Sequence, residues 1–150
     1  MTYQSVNPYN GETTRTFDEL TDAQVETALA TARSCFETWR HTSYAERATV
    51  VAKVSELMSA RIDELARTMT LEMGKRIGEA RGEVEFSARI LTYYAENAER
   101  FLAPVELHPT VGTAHMESSP IGVIFCVEPW NFPYYQLAGS RVLTSWPVTS

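Results

Sequence analysis

Cysteine is nearly absent from this chain of 150 residues: only Cys35 and Cys126 occur, with no CxxC pair. A disulfide framework and a thiolate zinc site are therefore not expected, and both sulfurs should be reduced thiols. His41, His108 and His115 lack ligand spacing, and neither a Ser-His-Asp pattern nor a phosphate-loop signature occurs. Basic charge is also in deficit. With 13 Lys and Arg against 19 Asp and Glu, the net charge is −6 and the pI is near 5.1. That field repels phosphate, which argues against nucleic acid and anionic membranes as partners. Long apolar runs are missing too: the longest, residues 121–127 with Gly122 allowed, is far too short to span a bilayer. The opening "MTYQSVNPYNGETT" has neither a signal-peptide pattern nor an Arg-rich amphipathic one, so a cytoplasmic protein is the default expectation.

What is present is hydrophobic content of 44%, enough for the core of one modest domain or for part of something larger. Asn-Pro and Asn-Gly punctuation within residues 5–17 predicts an opening turn or hairpin. Thr21 with Gln24 forms a capping-box pattern, followed by Val25, Ala28, Leu29, Ala32, Cys35, Phe36 and Trp39 at helical spacing. Ser43 with Glu46 repeats the signature ahead of a stripe from Val50 through Val51, Val54, Leu57, Met58, Ile62 and Leu65 to Met69, which Gly74 should end. A third stripe runs from Ile77 to Leu102 and stops at Pro104. Gly74, Gly78 and Gly82 recur every four residues among charged neighbours, which favours close helix packing or a helix break over a membrane motif. Tyr93 and Tyr94 in "YYAENAER" are expected to serve the core rather than a ligand.

Beyond Pro104, "VELHPTVGTAHMESS" loses the helical period and turns at Gly112, which predicts an antiparallel hairpin. The run "PIGVIFCV" is continuously β-branched and aromatic, the pattern of a strand buried on both faces in an α/β sheet. Ligands of such sheets sit beyond the carboxyl ends of the strands, where "EPWNFP" falls. Pro129 and Pro133 stiffen that loop, so Asn131 can be a pre-oriented amide donor to an oxygen that gains negative charge. The alternative is that Asn131 satisfies turn carbonyls while Trp130 and Phe132 pack beneath it. Periodicity leaves both open.

"PIGVIFCVEPWNFPYYQLA" resembles the segment that opens the cofactor-binding domain in the aldehyde dehydrogenase superfamily. "VNPYNGE" is similar to that family's entry turn, "CFETWRHTSYAERATVV" to its first helical connection, "LEMGK" to a helix end, and "AERFLAP" to the lead into its hairpin. "MESSPIGV" and "PWNFPYYQLA" are most similar to the succinate-semialdehyde dehydrogenase branch. The resemblance implies an α/β fold, specifically the N-terminal part of the family fold: helices, a β-hairpin and the first strand of a Rossmann-like sheet, truncated. It divides the chain into an N-terminal turn and helical part of the cofactor-binding domain (1–104), a hairpin resembling the oligomerisation region (105–119), the first strand with its loop (120–138) and a tail unlike the family (139–150).

The resemblance also implies that Asn131 is the side-chain donor of an oxyanion hole, and that Pro129, Trp130 and Asn131 line the nicotinamide-ribose side of NAD or NADP. In the family a cysteine thiolate attacks the aldehyde, hydride passes to the cofactor, and water activated by a glutamate releases the acid. None of the family's nucleophile, base, ribose lysine or pyrophosphate loop matches a residue here. Cys126 is expected to be hidden in the strand, and Cys35 lies on a core stripe. The 150 residues alone are thus expected to be inactive, with helical stripes and a lone strand left without partners, prone to poor stability or aggregation. In the family the substrate is a small-molecule aldehyde, here succinate semialdehyde, and the assembly a homo-oligomer. The alternative is a non-catalytic helical module that binds a full-length homologue.

The tail "GSRVLTSWPVTS" suggests its own explanation. Taking the third base of each codon from Ala138 onward with the first two of the next, synonymous codons exist that spell "RLAGPNFMAGN", the continuation the family resemblance leads one to expect after "YYQLA". A one-base insertion or deletion near the codons for Ala138 and Gly139, in the gene or its record, is the expectation.

Overall fold

The computed structural model describes residues 3–145, with side chains described for residues 3–139. Its first element is the predicted opening hairpin, in which β1 (Tyr3–Val6) pairs antiparallel with β2 (Thr13–Phe17). Asn7 closes the turn, its side-chain Oδ1 accepting from the Tyr9 N–H at 3.0 Å and its carbonyl from the Gly11 N–H at 2.8 Å.

Four helices follow: α1 (Asp22–Trp39), α2 (Tyr44–Ala60), α3 (Ile62–Met73) and α4 (Ile77–Phe101). Both expected capping boxes are formed, by Thr21 with Gln24 and by Ser43 with Glu46. The Glu46 carboxylate accepts from the Ser43 N–H at 2.7 Å and hydroxyl at 2.8 Å, which hold its pKa below the usual carboxylate range. Loss of the Ser43 hydroxyl leaves a first-turn N–H of α2 without its protein partner. Ser43→Ala should therefore lower stability by about 1 kcal/mol, read as a drop of roughly 2–4 °C in a thermal melt of the whole chain.

The second predicted helix proves to be two. Arg61 leaves the helical conformation at φ −117° and ψ 23°, ending α2 and starting α3. The break lets both apolar stripes reach α4: Val51 gathers with Leu91, Ala98 and Ala138, while Ala66 and Met69 gather with Ala80 and Val84. The long helix α4 is thus the centre of the packing. Small side chains bring α2 close enough for the buried Ser55 hydroxyl to donate to the Ala88 carbonyl at 2.7 Å and to meet Thr92 Oγ1 at 2.8 Å.

Several expected core positions turn out to be surface. On α1 only Phe36 is buried, and Val25, Leu29 and Cys35 are exposed, as are Val50, Val54 and Leu57 on α2. Gly78 and Gly82 neither break α4 nor permit a close approach, since a Cβ at either would meet nothing within 4 Å. Tyr94 packs beside the core, whereas Tyr93 is half exposed. Gly74 is the helix end anticipated: it caps α3 in the left-handed region at φ +81°, and a Cβ there would lie 3.0 Å from Pro8 Cγ in the opening turn.

A second hairpin joins β3 (Val105–Leu107) to β4 (Ala114–Met116), matching Val105 with Met116 and Leu107 with Ala114. The expected strand at 120–127 is different. It pairs with nothing among the described residues; Phe125 and Val127 are 88% and 80% exposed, and Cys126 is open to solvent. A strand exists only through pairing, and neither of the two described sheets includes this segment. α5 (Pro133–Ser145) ends the described chain, and the side chains of the divergent tail from residue 140 lie outside the described residues.

Candidate functional site

The stiff loop of residues 128–132 leads from the exposed apolar segment into α5. Pro129, Trp130 and Asn131 are all exposed, the indole by 63%. The side-chain amide of Asn131 makes no hydrogen bond to another described residue, so the turn does not consume it. Trp130 does not pack beneath the loop either. Chemically, the loop presents a free carboxamide donor beside a flat, exposed indole face, a surface suited to stacking against a ring or sugar and donating to an oxygen.

Phe132 and the residues after it anchor the loop. Lys75 lies just past the Gly74 cap, and its Nζ stands 3.7 Å from the centroid of the Phe132 ring. Lys75 also pairs with Glu83 of α4, and both charges are buried, with side-chain exposures of 7% and 3%. The second Glu83 oxygen accepts from the backbone N–H groups of Tyr134 at 3.0 Å and Tyr135 at 3.3 Å. Two aromatics complete the seat. Tyr135 stacks on Phe86 with centroids 5.7 Å apart, and the Tyr134 hydroxyl donates to the Leu65 carbonyl at 3.4 Å. Burial pushes the Tyr134 phenol above its ordinary pKa, and the neighbouring carboxylates of Glu72 and Glu83 add to the effect.

Sequence reasoning missed Glu83 and gave Lys75 no role beyond marking a helix end. Each sits in a charged stretch that looks like a solvated helix face, and only Glu83's spacing from the apolar Ala80 and Val84 hinted that it points inward. No group of three or more potential metal ligands occurs among the described residues. Cys35 and Cys126 are both free and exposed, Cys35 on α1 and Cys126 in the segment that precedes the loop.

A sequence model described as the aldehyde dehydrogenase family matches residues 1–143. The chain is 42% identical over 135 residues to an NADP-dependent succinate-semialdehyde dehydrogenase of Deinococcus radiodurans, covering 90% of this chain and 28% of the relative. It is 41% identical over 139 residues to such an enzyme of Mycobacterium tuberculosis, covering 91% of this chain and 30% of that one. The structure superposes on a crystal structure of succinic semialdehyde dehydrogenase from Streptococcus pyogenes in complex with NADP+. The TM-score is 0.90 at 37% identity, covering 95% of this chain and 31% of that one. The chain thus spans less than a third of the length of these relatives.

Proposed function

Because the chain belongs to the aldehyde dehydrogenase family, we propose that it is the N-terminal portion of an NAD(P)-dependent enzyme that oxidises succinate semialdehyde to the acid. The observation that carries the chemistry is the unengaged Asn131 amide on a loop braced by two prolines. In the complete enzyme that amide donates to the aldehyde oxygen as a thiolate from elsewhere in the chain adds to the carbonyl carbon. Two prolines restrict the loop's backbone, so such a donor acts with little reorganisation. The exposed Trp130 face and Pro129 offer an apolar wall for the nicotinamide-ribose side of the cofactor, which accepts the hydride. NADP is the favoured cofactor, as the names of the most similar relatives support. The hairpin formed by β3 and β4 serves a homo-oligomer interface, and residues 120–138 become the first strand and loop of the cofactor domain.

Two measurements test this. Made alone, the 150 residues should give no NADPH from succinate semialdehyde above background, because they supply neither an activated thiolate nor a general base. DNA beyond the Ala138 codon should, in a frame shifted by one base, continue with a family segment that begins "RLAGPN". Measurable turnover by these residues, or a shifted frame without that segment, would overturn this reading. One observation favours a second role, as a module docking on a full-length homologue: Ile121, Phe125 and Val127 are 75%, 88% and 80% exposed on an unpaired segment. Co-purification of a full-length subunit with the chain would support it.

A further inference from the structure

Resting on Asn131 as the donor, we propose that Lys75 and Glu83 are positioning residues that fix where the 128–132 loop delivers that amide. α5 starts without a cap of its own. Phe132 stands at the N-cap, its carbonyl accepting from the Gln136 N–H at 3.0 Å, yet its ring cannot accept from the free donors of the first turn. Pro133 has no N–H, so the donors in need of a partner are those of Tyr134 and Tyr135. Glu83 takes both through one oxygen, a role normally filled by a serine or aspartate at the helix start. A carboxylate there also meets the positive end of the helix dipole.

The Glu83 charge does not stand alone in the interior. Lys75 neutralises it and at the same time lies over the face of Phe132, so one ammonium grips the residue that follows Asn131 while its counter-charge grips the next two N–H groups. Residues 129–131 contribute no comparable anchor, since all three are open to solvent. Because Pro133 fixes φ, a shift of the first turn of α5 is passed directly to Phe132 and Asn131. Displacements near 1 Å at a reacting group cost about 10² in rate.

The test is single-residue amide exchange by NMR on a full-length enzyme that carries this segment, comparing Glu83→Ala, Glu83→Gln and Lys75→Arg, with the thermal midpoint of each. Glu83→Ala should speed exchange at Tyr134 and Tyr135 by about tenfold or more beyond any change at Val51 and Ser55 in α2. It should also shift the side-chain amide resonance of Asn131. Glu83→Gln keeps the accepting oxygen and loses the charge, so its effect should fall between, and Lys75→Arg should preserve the protection. Unchanged exchange at Tyr134 and Tyr135, or equal acceleration across α2, α4 and α5, would reduce the pair to general packing and overturn the proposal. If the alanine variant unfolds, the near-isosteric Glu83→Gln decides by the same comparison. None of these readouts involves turnover, so kinetic failure of the Asn131 role would leave them standing, and their failure would leave that role untouched.

Discussion

Asn131→Ala, placed in a full-length enzyme that carries this segment, should lower kcat by about 10²–10³ while leaving KM for the aldehyde close to its original value. The split between the two constants follows from where the charge develops. A neutral aldehyde oxygen gains little from one amide donor in place of water, whereas the oxyanion formed on thiolate addition gains much in a site that excludes water. Asn131→Asp should be at least as damaging, because an ionised carboxylate repels that oxygen and has no N–H to give. Steady-state NADPH formation monitored by absorbance reads both constants. An alanine variant with unaltered kcat would remove the role assigned to the loop.

Arg47→Ala should destabilise the chain by about 2–4 kcal/mol, seen as a fall of roughly 5–15 °C in the thermal midpoint. The side chain is 3% exposed and sits where α1 ends without a left-handed glycine or a basic residue in its last turn. Its Nε donates to Thr42 Oγ1 at 2.9 Å, and Nη2 lies 3.1 Å from the carbonyl oxygens of Trp39, Arg40 and Thr42. The guanidinium also faces the rings of Trp39 and Tyr44. Burial lowers its pKa, with Tyr44 opposing, yet a guanidinium stays charged at any ordinary pH. Truncation therefore leaves several acceptors at the α1–α2 corner without a donor. Arg47→Lys should recover only part of the loss, since a single ammonium cannot reproduce the planar fork. A midpoint within a degree of wild type would show that water replaces the fork at no cost.

The sequence was most legible where the governing interaction is local. Capping boxes at Thr21 and Ser43, the glycine stop at Gly74 and the turns of both hairpins all depend on residues a few positions apart, and each formed as expected. It was least legible where a partner had to be supplied from a distance. The run at 121–127 reads as a buried strand because its composition anticipates neighbours on both faces, but no described segment provides them, so it forms no strand and most of it is exposed. The exposed stripe of α1 fails for the same reason. Loop 128–132 was picked out by its prolines and its amide; the buried charges that hold it were not. Lys75 and Glu83 sit among the equally charged Arg76, Glu79, Arg81 and Glu85, and nothing local distinguishes a charge that is neutralised inside from one dissolved in water.

Gly74 ties together parts of the molecule that the linear order keeps far apart. Its missing side chain lets Pro8 rest on the end of α3, and its left-handed backbone turns the chain so that the next residue, Lys75, can reach inward to Glu83. The seating of the amino-terminal ribbon and the aim of the Asn131 amide are thus set at one shared corner. A methyl group introduced at that corner would be felt at both ends.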